Sequence, residues 1–228
     1  MRPTLTLLEP ALVGRVLDEA FQLLMEPGVR VHEPEAAALL AAAGADVRDG
    51  TARIPERIVR DALATVPHAF ALYDRAGTPA VRYGEGAVQF DPGSCGVHVL
   101  DPDTLEHRPS MSADLVRIIE VTDGLDAYAA QSTAVVCSDV PADAGDMHRL
   151  LLVLLYSDKP VVTGGFAPRT TRVMLDMLAA DAGGPTVLAA RPRAVFDVCP
   201  SPPLTWSALG CRNPVSYTHL TLPTNREV

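Results

Sequence analysis

From Ala127 onward the chain alternates between two kinds of apolar stretch, and this alternation limits its possible folds more than any other feature. AYAAQSTAVV, KPVVTGG and RAVFDVCPSPP are short, nearly continuous apolar runs bounded by glycine, serine or proline. Between them, DMHRLLLVLLYSD and TRVMLDMLAADAGG space their apolar residues at three and four, the period of a helix. Apolar strands separated by helices imply a parallel sheet covered by those helices. The expected class is α/β, either an open sheet or a (β/α)8 barrel. With Ala87–Asp91 counted as a first strand there are about four parallel strands, against the eight strands and ~250 residues of a complete barrel.

The preceding sequence has a different rhythm. Leu12, Val13, Val16, Leu17, Ala20, Leu23 and Leu24 mark an amphipathic helix opening at Pro10 and stopping at Gly28. PEAAALLAAAG and PERIVRDALATVP repeat that design, and Asp49-Gly50 between them is a hairpin turn signal. FALYDRAG, PAVRYG, GAVQFDPG, CGVHVLD and TLEHRPS read as a β meander ending at Ser110. Ser112 then resembles an N-cap, with Asp114 near the positive end of the helix that follows. The expected organisation is a helical and hairpin region over residues 1–85 and a partial barrel over 86–213.

Charge and cysteine content exclude several functions. The formal charge of −9 repels phosphate backbones and anionic lipid, so neither nucleic acid nor membrane is an expected partner. The N-terminus has no signal-peptide pattern and no segment approaches eighteen uncharged apolar residues, which reads as a soluble, cytoplasmic chain. Cys95, Cys137, Cys199 and Cys211 lack C-x-x-C spacing, so no zinc ribbon or disulfide framework is indicated. Cys95 and His98 form a lone C-x-x-H pair without further ligands at suitable spacing, and no metal site is expected.

Several blocks taken in order carry a family resemblance. They are LLMEPGVRVHEPEAAALLAAAGADV, RIPERIVRDALATVPHAFALYDRAG, FDPGSCGVHVLDPDTLEHRPSMSADL with its R-P-S-x-x-x-D helix entry, KPVVTGG and VCPSPPLTW. From Leu8 to Arg212 this order resembles the trimethylamine methyltransferase family of corrinoid-dependent enzymes, which has pyrrolysine-containing and pyrrolysine-free members. The resemblance implies a TIM barrel in a chain about twice this long, of which this is the first half, inactive by itself. It also implies methyl transfer from a tertiary or quaternary methylated amine to the cobalt of a separate corrinoid protein, with no cofactor bound directly and a possible homo-oligomer at full length. Pyrrolysine would fall in the second half. The final residues explain the truncation: VSYTHLTLPT matches, codon for codon, a transposon-based sequencing adaptor, so residues 214–228 read as a non-native tail.

In a barrel, substrate contacts come from the carboxyl ends of strands. This selects Gly93 and Ser94, Gln131 and Ser132, Gly164 and Gly165, and the segment 199–202 that contains Ser201. Each has a plain alternative, since the glycines can serve tight turns and Gln131 or Ser132 can satisfy buried backbone groups. A diffuse ammonium charge needs carboxylates or aromatic faces around it. A noncatalytic α/β protein binding a small cation is the second reading. A lysine-dependent lyase or aldolase is a weak third, because the single lysine, Lys159, opens a strand instead of ending one.

Overall fold

The computed structural model describes residues 6–212. They form two compact units, one running to Val66 and completed by Cys199–Arg212, the other spanning Pro67–Val198. The adaptor-like tail lies outside the described residues.

The first unit follows the sequence punctuation. Pro10 opens α1 (Pro10–Met25), where its missing N–H would have had no helical partner. Gly28 follows in the left-handed region at φ +87°, and a Cβ there would lie 2.7 Å from the Ala52 carbonyl oxygen, so only glycine fits. Strand β1 (Val29–Val31), helix α2 (Pro34–Ala42), strands β2 (Asp46–Arg48) and β3 (Thr51–Arg53) and helix α3 (Glu56–Ala64) come next. β2 and β3 are antiparallel about Asp49 and Gly50, at φ 49° and 74°, the positive pair a tight hairpin requires. The chain returns at its far end as β11 (Thr205–Trp206), parallel to β1, giving the order β11-β1-β3-β2. Val31, Ala45, Ala52, Ile54 and Cys211 form the core, with Trp206 against it.

The second unit opens with the hairpin β4 (Phe70–Tyr73) and β5 (Pro79–Tyr83) and a second hairpin β6 (His98–Leu100) and β7 (His107–Pro109). These are two separate two-stranded sheets in place of the expected meander. Ala87–Asp91 is not a strand. Pro92 has no N–H, the Asp91 carboxylate takes the Gly93 N–H at 2.8 Å, and Gly93 turns to φ +77°, which together break any regular ladder.

Helix α4 (Ser112–Asp123), strand β8 (Gln131–Ser132), helix α5 (Gly145–Tyr156), strand β9 (Val161–Thr163), helices α6 (Pro168–Asp181) and α7 (Pro185–Ala190), and strand β10 (Ala194–Phe196) complete the unit. β8, β9 and β10 are parallel neighbours in the order β10-β9-β8. The irregular segment 90–96 runs beside β8 as a fourth parallel member. Ala129 N–H donates to Phe90 O at 3.1 Å, Gly96 N–H to Ala134 O at 2.9 Å, and Val136 N–H to Gly96 O at 2.8 Å. Successive segments are thus spatial neighbours. On one face of the sheet α4 packs on α5 and α5 on α6 around Leu115, Ile119, Leu150, Val153, Met174 and Leu178.

The other face carries Ala130, Val162 and Val195 against Leu72 and Val81 of the first hairpin. The hairpin sits at the amino ends of the strands, where Tyr73 N–H donates to Pro192 O and Arg75 N–H to Asp158 O, each at 2.9 Å. This packing places Pro67–Tyr83 in the second compact unit.

The R-P-S-x-x-x-D block has a mechanical meaning. Arg108 donates both Nη atoms to the Asp114 carboxylate at 2.7 and 2.8 Å and its Nε to Asp101 at 3.1 Å, and Ser110 Oγ donates to Val136 O at 2.6 Å. The cap residue of α4 is Met111, and Ser112 is already helical. Asp114 does the capping by reaching back to the Met111 N–H at 2.9 Å. The Arg108 guanidinium, aided by that N–H, holds the Asp114 carboxyl below the usual carboxylate range. Among the described residues no helix is long and apolar enough to cross a membrane.

Candidate functional site

Strand alternation decides which side chains share the inner face of the sheet, opposite the helices. Val162 and Val195 face inward, so the same parity carries Gly164 and Asp197 inward at the carboxyl ends of β9 and β10. Ser132 pairs with Val162 in register and lies on that face too. The inner face therefore has an apolar layer of Ala130, Val162 and Val195, closed below by the hairpin, with Ser132 level with Val162 and Val195 and with Gly164 and Asp197 above them. A Cβ on Gly164 would stand 3.0 Å from Asp197 Oδ1, which verifies that both point the same way. Asp197 N–H continues the ladder to Thr163 O at 2.8 Å. Its carboxylate is exposed and has no hydrogen bond or ion pair among the described residues. Ser132 Oγ donates to Gly93 O, drawing the first segment onto the same face.

The helix side of the same strand ends is closed by a buried ion pair. Arg149, 1% exposed, donates Nη2 to Asp146 Oδ1 at 3.1 Å and Nη1 to Thr133 O at 3.1 Å and Cys95 Sγ at 3.5 Å. Asp146 Oδ2 accepts the Phe166 N–H at 2.6 Å and Thr170 Oγ1 at 3.0 Å. The Phe166 ring lies 5.3 Å from the guanidinium carbon. Thr133 and Thr163 meet through their hydroxyls at 3.1 Å. One pair on the first turn of α5 thereby ties together the loop at Cys95, the end of β8 and the loop after β9.

The cysteines and histidines do not converge on a reactive centre. Cys137 is buried, and burial raises its thiol above the ordinary value, which opposes a nucleophilic thiolate. Ser112 Oγ and His148 Nε2 are 2.8 Å apart at the start of α4 and α5, while the Ser112 N–H donates to Asp139 at 2.9 Å. Cys95 and Cys199 are exposed and unbridged. Among the described residues no three histidines, cysteines or carboxylates are grouped as metal ligands.

A family model described as trimethylamine methyltransferase (MTTB) matches residues 1–218. The chain belongs to the trimethylamine methyltransferase family. A relative from Desulfitobacterium hafniense, trimethylamine methyltransferase MttB, is 28% identical over 185 residues, covering 80% of this chain and 37% of the relative. The proteins of the same name from Methanosarcina barkeri and Methanosarcina thermophila are each 26% identical over 215 residues, covering 90% of this chain and 43% and 44% of theirs. The chain thus spans less than half the length of these family members.

Set against the family assignment, the sequence-selected residues separate clearly. Gly93 and Gly164 come together with Ser132 on the inner face, and Ser94 is exposed beside Gly93. Gln131 does not join them. Its amide accepts from Thr122 Oγ1 at 2.8 Å and donates to Ile119 O at 3.1 Å, so it fastens β8 to α4. Gly165 has the opposite parity from Gly164, and a Cβ there would run into Thr171 Oγ1 under α6. Ser201 belongs to the first unit, where it exchanges backbone hydrogen bonds with Thr205 at 2.8 and 3.0 Å. Sequence reasoning passed over Asp197 and Arg149. The signal for Asp197 was its place as the single charged residue closing AVF; nothing in the sequence marked Arg149.

Proposed function

We propose that this protein, at the length of its relatives, transfers a methyl group from a tertiary or quaternary methylated amine to a corrinoid carried by a separate protein. The observation that carries the reading is the family match across nearly the whole chain. The fold agrees with it. Parallel neighbours added in chain order, with consecutive helices packed on one face and a hairpin closing the amino ends, support reading the second unit as the first part of a TIM barrel. A groove of about 490 Å³ between α4 and the segment at Pro92, lined by Pro92, Arg117, Ile118, Val121, Thr122 and Tyr128, leaves room for further elements against the first segment.

In such a reaction the reduced cobalt of the partner's corrinoid supplies the nucleophile. The methyltransferase has to hold the amine with one N–CH3 bond aimed out of the barrel mouth and to keep water from its charge. The inner-face residues at the carboxyl ends of the strands occupy the position for this work, and the Arg149–Asp146 pair fixes the loops around them. The first half of a barrel, lacking the facing wall, turns nothing over by itself.

The test compares two proteins: the 228-residue chain, and the reading frame extended beyond residue 213 from source DNA to the relatives' length. Each is mixed with reduced corrinoid protein and trimethylamine or a quaternary amine, and the demethylated amine is measured by mass spectrometry. The extended protein should release it and the short chain should not. Amine binding without demethylation by the extended protein would favour the small-cation-binding alternative.

A further inference from the structure

We infer that Asp197 receives the positive headgroup of the substrate, making it the residue that selects a methylated ammonium over a neutral molecule of the same shape. This rests on the amine-methyltransferase reading and assigns that substrate a residue. A quaternary ammonium has no N–H to donate, so hydrogen-bond acceptors that need a donor cannot distinguish it. What distinguishes it is negative charge at short range with room for the surrounding methyl groups. The inner face provides this pairing at one place. Asp197 brings the charge, and Gly164 beside it leaves empty the volume where any side chain would press on Oδ1 from 3.0 Å. Ser132, the next residue on that face, is small and has its hydroxyl on Gly93 O. The apolar layer of Ala130, Val162 and Val195 lies below, fitting methyl groups that do not need water.

A structural role would leave a different mark. Aspartates that end strands ordinarily accept backbone N–H groups of the following turn. Asp101, directly after β6, does so for Asp103 and Thr104, and Asp91, in a turn, does the same for Gly93. Asp197 accepts none among the described residues. Arg149 is on the helix side of the strands and paired with Asp146, so it does not neutralise Asp197.

The test titrates the 228-residue chain with choline and with its uncharged isostere 3,3-dimethylbutan-1-ol, following backbone amide shifts by NMR. Choline should shift the amides of Thr163, Gly164 and Asp197. Asp197→Asn should weaken choline about tenfold or more, equivalent to about 1.4 kcal/mol or more, while leaving the isostere unchanged. Asp197→Glu, which keeps the charge, should stay closer to the parent, and it carries the comparison if the Asn variant fails to fold. In the unmutated chain, carbodiimide labelling of Asp197 should be slowed by choline and not by equimolar sodium chloride. Choline binding that is indifferent to Asp197→Asn would overturn the assignment and leave the amine reading standing. No choline binding by the 228-residue chain would also overturn the assignment, while the amine reading stands or falls on demethylation by the extended protein.

Discussion

Replacing Asp146 by alanine removes the acceptor of three hydrogen bonds and leaves the Arg149 guanidinium buried without its counter-ion. The side chains of the pair are 2% and 5% exposed, so water cannot take over. Breaking a buried pair from one side costs about 3–5 kcal/mol. Domains of this size have about 5–15 kcal/mol to lose, and each kcal/mol moves the melting midpoint by about 2–4 °C. The expected fall in Tm is therefore about 6–20 °C, read by circular dichroism, with a matching drop in urea midpoint at unchanged m. The double variant Asp146→Ala/Arg149→Met removes the stranded charge along with its partner. It should lose much less than the sum of the single losses, with a coupling above about 1.5 kcal/mol. A loss below about 1 kcal/mol for Asp146→Ala, or additive single and double variants, would refute the idea that this pair holds the strand-end loops.

The two adjacent glycines should respond oppositely. Gly165→Ala drives a methyl into Thr171 Oγ1, which is fully buried and bonded to Ala167 O, and should cost about 1–3 kcal/mol. Gly164→Ala presses on the end of an exposed carboxylate at 3.0 Å and meets the Asp197 carbonyl oxygen at an ordinary 3.4 Å, so it should leave the melt nearly unchanged while weakening choline; equal melting losses would contradict the assigned parity. Asp114 gives a pH signature. Its carboxyl titrates below the unfolded value, so its contribution is complete above about pH 4 and disappears as pH falls through the folded pKa. Asp114→Asn should flatten the acid limb of the urea midpoint against pH, although Asp101, also depressed, keeps some slope. An unchanged acid limb would show that the Arg108 pair contributes nothing to folding.

What could be read without coordinates was local. Proline at helix starts, the Asp49-Gly50 turn and the change from strand to helix spacing act through a few neighbouring residues, and the elements they marked are present. Ala87–Asp91 misled because an apolar run looks like a strand until Asp91, Pro92 and Gly93 divert its hydrogen bonds. Ser112 looked like a cap because serine usually is one, yet the Asp114 carboxylate reached back first. The site was legible only as a set of strand ends. Which of those residues face one another depends on register between strands, and a shift of one residue exchanges inside for outside. Register placed Gly164 with Asp197, and sent Gln131 to α4 and Gly165 to Thr171. Likewise, the return of Thr205 and Trp206 to β1 and the meeting of Arg149 with Cys95 and Thr133 join residues far apart in the chain. The sequence by itself determined the helices, most of the strands and the family, because these are carried by short, ordered patterns. Only the tertiary structure decided which carboxylate stands free on the inner face and which is locked behind it, because long-range packing and strand register set that choice.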